Sequence, residues 1–103
     1  MLEISICINK IVAKDSYDVI CEAFFIDYYG EKHTFRDKLP IFYSNYSQNG
    51  TPKVPIAGII RGELIEKRVE SVVVNCEFPD DVADMDGNYI FEVNNSIVNW
   101  WAE

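Results

Sequence analysis

Leu2, Ile4, Ile6 and Ile8 alternate with Glu3, Ser5, Cys7 and Asn9. Side chains at every second position share one face of a strand, so this pattern predicts a half-buried strand at the start of the chain. Lys14-Asp15-Ser16 is a turn signal, and residues 19–29 supply β-branched and aromatic side chains for a second strand. A turn at Gly30 leads to a third strand over residues 31–36, completing a meander. From Leu39 to Pro55 the alternation stops. Pro40, Pro52 and Pro55, with Ser44, Asn45, Ser47, Gln48 and the Asn49-Gly50 pair, predict a long loop that also carries Phe42, Tyr43 and Tyr46. Loops of that length in small domains are frequently functional.

Strand character resumes over residues 56–65 and 69–78, joined by a turn near Glu66-Lys67-Arg68. The helix formers between Gly62 and Ser71 offer a short helix as the alternative. Strand is preferred because both flanks are strands and no N-cap residue precedes. Val72-Val73-Val74 is too β-branched for a comfortable helix, and Pro79 ends that ladder. Residues 80–87 form an acidic loop. Tyr89, Phe91 and Val93 then alternate with Ile90, Glu92 and Asn94, and a turn at Asn94-Asn95 leads to a last strand over residues 97–101. With 103 residues there is room for a single domain, residues 1–103. Its expected fold class is all-β: an antiparallel β-sandwich of about seven or eight short strands, or a small β-barrel.

Composition narrows the setting. At 49% hydrophobic residues and 14% aromatic, the chain is globular rather than disordered. Cys7, Cys21 and Cys76 form no tight pair. An odd number of scattered cysteines predicts reduced, buried thiols in a cytoplasmic protein, with a Cys7–Cys21 bridge across an N-terminal hairpin as the alternative. The first ten residues have no basic region and no continuous apolar stretch, unlike a secretory leader. The longest apolar run, residues 19–26, contains Glu22 and is too short to span a bilayer.

Charge changes the picture most. Residues 1–68 hold nine acidic and nine basic side chains and are neutral. Residues 69–103 hold eight acids (Glu70, Glu77, Asp80, Asp81, Asp84, Asp86, Glu92, Glu103) and no Lys or Arg, so the net charge of −8 comes from the last third. Such a surface repels phosphate backbones and attracts cationic partners.

Candidate chemistry is sparse. If Gly87 stood at position six of an EF-hand loop, Val82 and Val93 would occupy ligand positions one and twelve, and neither offers an oxygen. No metal or other cofactor is expected. The first reading of the acids is a solvated loop, and the second is a contact surface for a cationic partner. His33, the only histidine, has no nucleophile in a suitable context and is expected on the surface or an edge strand. No phosphate-binding glycine loop occurs, so no enzymatic activity is expected. Trp100 and Trp101 must face opposite ways in a strand, leaving one to cover an open sheet end or to anchor a partner. The candidate partner-binding residues are therefore Asp80, Asp81, Asp84, Asp86, Glu77, Tyr43, Tyr46 and Trp100.

An acidic β-domain with this base-free segment and with Tyr43, Tyr46 and Trp100 resembles the immunity proteins of bacterial contact-dependent growth inhibition toxin systems. The resemblance is one of overall type and transfers no contact residue. It implies a cytoplasmic inhibitor that binds a basic toxin domain, most often a nuclease, and blocks its active site. The residues alone leave a second option, a carbohydrate- or small-ligand-binding β-sandwich using Tyr43, Tyr46 and Trp100.

Overall fold

The computed structural model describes residues 1–14, 18–43 and 51–100. Seven strands occur among them: β1 Leu2–Lys14, β2 Val19–Ile26, β3 Lys32–Lys38, β4 Ile56–Lys67, β5 Ser71–Asn75, β6 Ile90–Asn94 and β7 Val98–Trp100. A single helical turn, α1 Leu39–Phe42, follows β3, and a 3-10 turn at Asn95–Ile97 precedes β7. All pairings are antiparallel, in the order β3-β2-β1-β4-β5-β6, with β7 alongside the first residues of β1. The all-β expectation holds. The seven strands form one curled sheet whose two ends close over a common core.

The long strands make the curl. β1 pairs β4 through Leu2–Ile8 on one edge, and on the other it pairs first β7 and then β2. Its register against β2 slips twice, between Ile8 and Lys10 and between Ile11 and Ala13, and such irregularities bend a strand and raise its twist. β4 gives its first half to β1 and its second half to β5, with a further slip between Leu64 and Glu66. The two ends of the strand order then meet. Tyr28 N–H, just past β2, donates to Glu92 C=O on β6 at 2.9 Å. Behind that bond the Phe91 ring lies 5.3 Å from Phe25 and 5.6 Å from Phe35, in edge-on geometry favoured by aromatic quadrupoles.

The alternation in β1 is that of the sequence: Leu2, Ile4, Ile6 and Ile8 are buried and join Cys21, Ala23, Phe35, Val72, Val74 and Val93 in the core. β4 runs through Lys67, so strand wins over helix in the Gly62–Ser71 region. Several boundaries differ from expectation, among them the end of β5, which stops at Asn75 rather than running to Phe78. β2 stops at Ile26, because the Asp27 carboxylate accepts the Tyr29 and Glu31 N–H groups and turns the chain there. The loop expected from Leu39 begins with α1, whose Leu39 and Phe42, three apart on one face, are fully buried. The β4–β5 turn lies at residues 68–70, where Val69 is 94% exposed and Arg68 N–H donates to Ser71 C=O. The last strand begins at Val98, after Asn94 caps the 3-10 turn by accepting from Ser96 N–H.

The three cysteines are free thiols. In the β1–β2 register Cys7 faces Phe24 while Cys21 faces Ile11, so the hairpin does not juxtapose the two sulfurs. No helix among the described residues is long and apolar enough to cross a membrane.

Candidate functional site: a pinned acidic loop

Between β5 and β6 the chain makes a fourteen-residue excursion, residues 76–89, closed at its base by Cys76 N–H donating to Tyr89 C=O at 2.8 Å. Its acids have two different occupations. Asp80 receives a bidentate Arg61 guanidinium from β4, with Nε–Oδ2 at 2.9 Å and Nη2–Oδ1 at 2.6 Å. Such fork-to-fork geometry is the strongest common form of this bond. It raises Arg61 further above its already high value, with Glu3 nearby adding to the effect. Asp84 is buried, with 6% of its surface exposed, and the expectation of a wholly solvated loop fails there. Its oxygens accept from Asp86 N–H at 3.0 Å, Asn88 N–H at 2.8 Å, Asn88 Nδ2 at 3.2 Å and His33 Nδ1 at 3.1 Å. A carboxylate can enter an interior only when its lone pairs are answered in this way.

His33 therefore has a structural task that its place in the sequence does not reveal. β3 sets its ring against Phe91, 4.9 Å away, with Nδ1 on Asp84 and Nε2 on Asp27 at 2.7 Å. Burial pulls its pKa down, but hydrogen bonds and charge from Asp27 and Asp84 outweigh burial and raise it above the ordinary histidine value. Burial likewise opposes ionisation of both carboxylates, and their hydrogen bonds prevail, leaving each below the ordinary value. With a carboxylate at both nitrogens the ring donates twice, as imidazolium. Asp27, Glu31 and His33 bring potential metal-ligating atoms within 4.8 Å of one another. The Asp27 oxygens are already engaged by His33 and by the Tyr29 and Glu31 N–H groups, so the grouping acts as a self-satisfied charge cluster.

Two further attachments complete the pinning. Val82 is buried in the core and its N–H donates to Cys76 C=O, while Met85 N–H donates to Thr34 C=O on β3. The loop is thus fixed to β4, to the core and to β3. What it presents outward is Glu77, Asp81 and Asp86, all exposed, together with Phe78 at 52% exposure, Met85 at 57% and, at the start of β6, Ile90 at 58%. Asp81 adopts a positive φ of 55° and accepts from Tyr89 Oη at 2.7 Å, an interaction that raises the tyrosine pKa.

The other predicted residues lie elsewhere. Tyr43 follows α1 beside Glu3, Ser5, Ala57, Gly58 and Ile59, at a shallow cleft of about 300 Å3. Glu3 is the cross-strand partner of Arg61, so that cleft adjoins the Arg61–Asp80 pair. Trp100 is the cross-strand partner of the buried Leu2, half exposed at the sheet end, with the Lys67 ammonium 5.2 Å from its ring centroid. Tyr46 and Trp101 lie outside the described residues.

The linear charge separation is partly undone by folding. Arg61, Arg68 and His33, all from the neutral part of the sequence, reach Asp80, Glu92 and Asp84. Sequence reasoning missed Phe78, Met85 and Ile90 as presented apolar groups and Arg61 and His33 as the pins. Ile90 was readable from the Tyr89–Val93 alternation, whereas partners 19 and 51 residues apart leave no local signal. Compared with known protein families, with curated proteins and with solved structures, the chain matches none.

Proposed function

We propose that this chain is a binding protein that inhibits a basic protein partner, in the manner of an immunity protein neutralising a toxin domain, and that the loop of residues 76–89, with Ile90 at the start of β6, is its contact. The observation that carries the proposal is the division of labour within the loop. Asp80 and Asp84 are consumed in holding it, while Glu77, Asp81 and Asp86 stand exposed beside Phe78, Met85 and Ile90. A contact already fixed before encounter avoids much of the ordering cost of association. Exposed carboxylates accelerate capture of a cationic site, and exposed apolar side chains supply the packed contacts that slow release. A nuclease, whose active site is cationic because it holds phosphate, fits this chemistry best as the partner.

A sugar-binding platform would need Tyr43 and Trp100 on one face. Tyr43 borders Glu3 and Ser5, whereas Trp100 pairs with Leu2, and neighbouring residues of β1 point to opposite faces. The binding reading predicts that a reading frame adjoining this one encodes a basic toxin domain, and that domain is the partner to test. Purified domain and inhibitor should form a salt-sensitive complex in which the toxic activity is lost. Retention of full activity at saturating inhibitor would reject the proposal.

A further inference from the structure

The cleft beside Tyr43 carries chemistry that the acidic loop does not use. Glu3 and Ser5 of β1 stand opposite Arg61 and Ile59 of β4, in a register without slips, and share the face away from the buried Leu2, Ile4 and Ile6. Tyr43, which follows α1, lines the same cleft with Ala57 and Ile59. Glu3 is the only charged side chain in that lining, and it is half-buried. Among the described residues its carboxylate makes no hydrogen bond and no ion pair. Arg61, its cross-strand neighbour, reaches Asp80 through the two-pronged bond. A carboxylate partly withdrawn from water attracts a cation more strongly than a solvated one. The cleft, at about 300 Å3, stands at the lower end of the roughly 300–1,000 Å3 of ligand pockets and suits a single side chain.

We propose that this cleft receives an arginine side chain of the basic partner, an inference that rests on the reading of the chain as an inhibitor of such a partner. A guanidinium can donate two parallel N–H bonds to the Glu3 carboxylate and a third to Ser5 Oγ, and its face can stack on the Tyr43 ring. An ammonium matches the charge without the fork. Through Arg61 and Asp80 the cleft adjoins the loop that presents Asp81, so one partner surface reaches both. The exposed acids act on approach, whereas a guanidinium paired inside the cleft acts on release.

Two measurements test this. In the first, the full chain, labelled for amide NMR, is titrated with acetyl-arginine amide and with its neutral citrulline counterpart. The arginine probe should bind with a Kd on the order of 10 mM, shifting the amides of Glu3, Ser5, Tyr43, Ala57 and Ile59. Citrulline should bind about tenfold more weakly, as should arginine to the Glu3→Gln variant. Shifts confined to Asp81 and Asp86, equal affinity for citrulline, or no saturable shift up to about 50 mM would overturn the proposal. In the second, dissociation of the complex with the partner domain is timed for Glu3→Gln and Tyr43→Leu, each verified as folded by circular dichroism. Both should dissociate about tenfold faster than wild type, with association within about twofold. A complex indifferent to both variants overturns this inference alone. A wild type that forms no complex rejects the underlying reading, and this inference with it.

Discussion

His33, Asp27 and Asp84 show how a single ring can fix a loop. The stability contributed by the two carboxylates, whose pKa values are lowered on folding, is present above their unfolded value of about 4 and is lost as pH falls through the folded values. The contribution of His33, whose pKa is raised, is complete below about 6.5 and is lost as pH rises through its folded value. The cluster therefore stabilises most between roughly pH 4 and pH 6.5. Urea unfolding across this range should show His33→Gln flattening the decline on the alkaline side, and parallel curves for the two proteins would contradict the assignment. Asp84→Ala should cost about 2 kcal/mol, since it leaves the N–H groups of residues 86 and 88 and the His33 ring unanswered. The thiols give a second check at this scale. Burial pushes Cys76 up to about 12, and burial with a nearby Asp37 pushes Cys21 up to about 11. Both should resist alkylation in the native protein, and reducing agent should leave the unfolding midpoint unchanged.

At the scale of elements, the strands were legible wherever one face meets the core and the other meets water. The period-two patterns of Leu2–Ile8 and of Tyr89–Val93 marked β1 and β6, and the buried positions are Leu2, Ile4, Ile6 and Ile8 in the first and Phe91 and Val93 in the second. Element ends were less legible, because they depend on contacts with distant parts of the chain. α1 exists because Leu39 and Phe42 have a core to enter, and four residues carry no periodic signal. Its seat depends on Gly58: a Cβ there would stand 2.6 Å from the Phe42 carbonyl oxygen and 2.8 Å from Ile8 Cδ1. Gly58→Ala should accordingly cost about 1–3 kcal/mol in denaturant unfolding, by forcing α1 away from β4. An unchanged midpoint would show that α1 is not held there. Val82 plays the matching part for the loop, and Val82→Ala should cost about 2 kcal/mol through lost burial and the space left behind.

For the whole molecule, the sequence placed the negative charge correctly in the last third but could not apportion it. Folding brings Arg61 to Asp80, Arg68 to Glu92 and His33 to Asp84, so the acids that looked equivalent divide into those that build the loop and those it presents. The central claim is that Glu77, Asp81 and Asp86, presented by a pinned loop, steer a basic partner. The most direct measurement is the association rate of the proposed basic partner domain with wild type and with the triple variant Glu77→Gln, Asp81→Asn, Asp86→Asn, at low and high salt. At low salt the triple variant should associate roughly tenfold more slowly and lose most of the salt dependence, with its unfolding free energy within about 0.5 kcal/mol of wild type. Wild-type association rates with wild-type salt dependence in the triple variant would contradict the account, leaving these carboxylates as solvated surface alone.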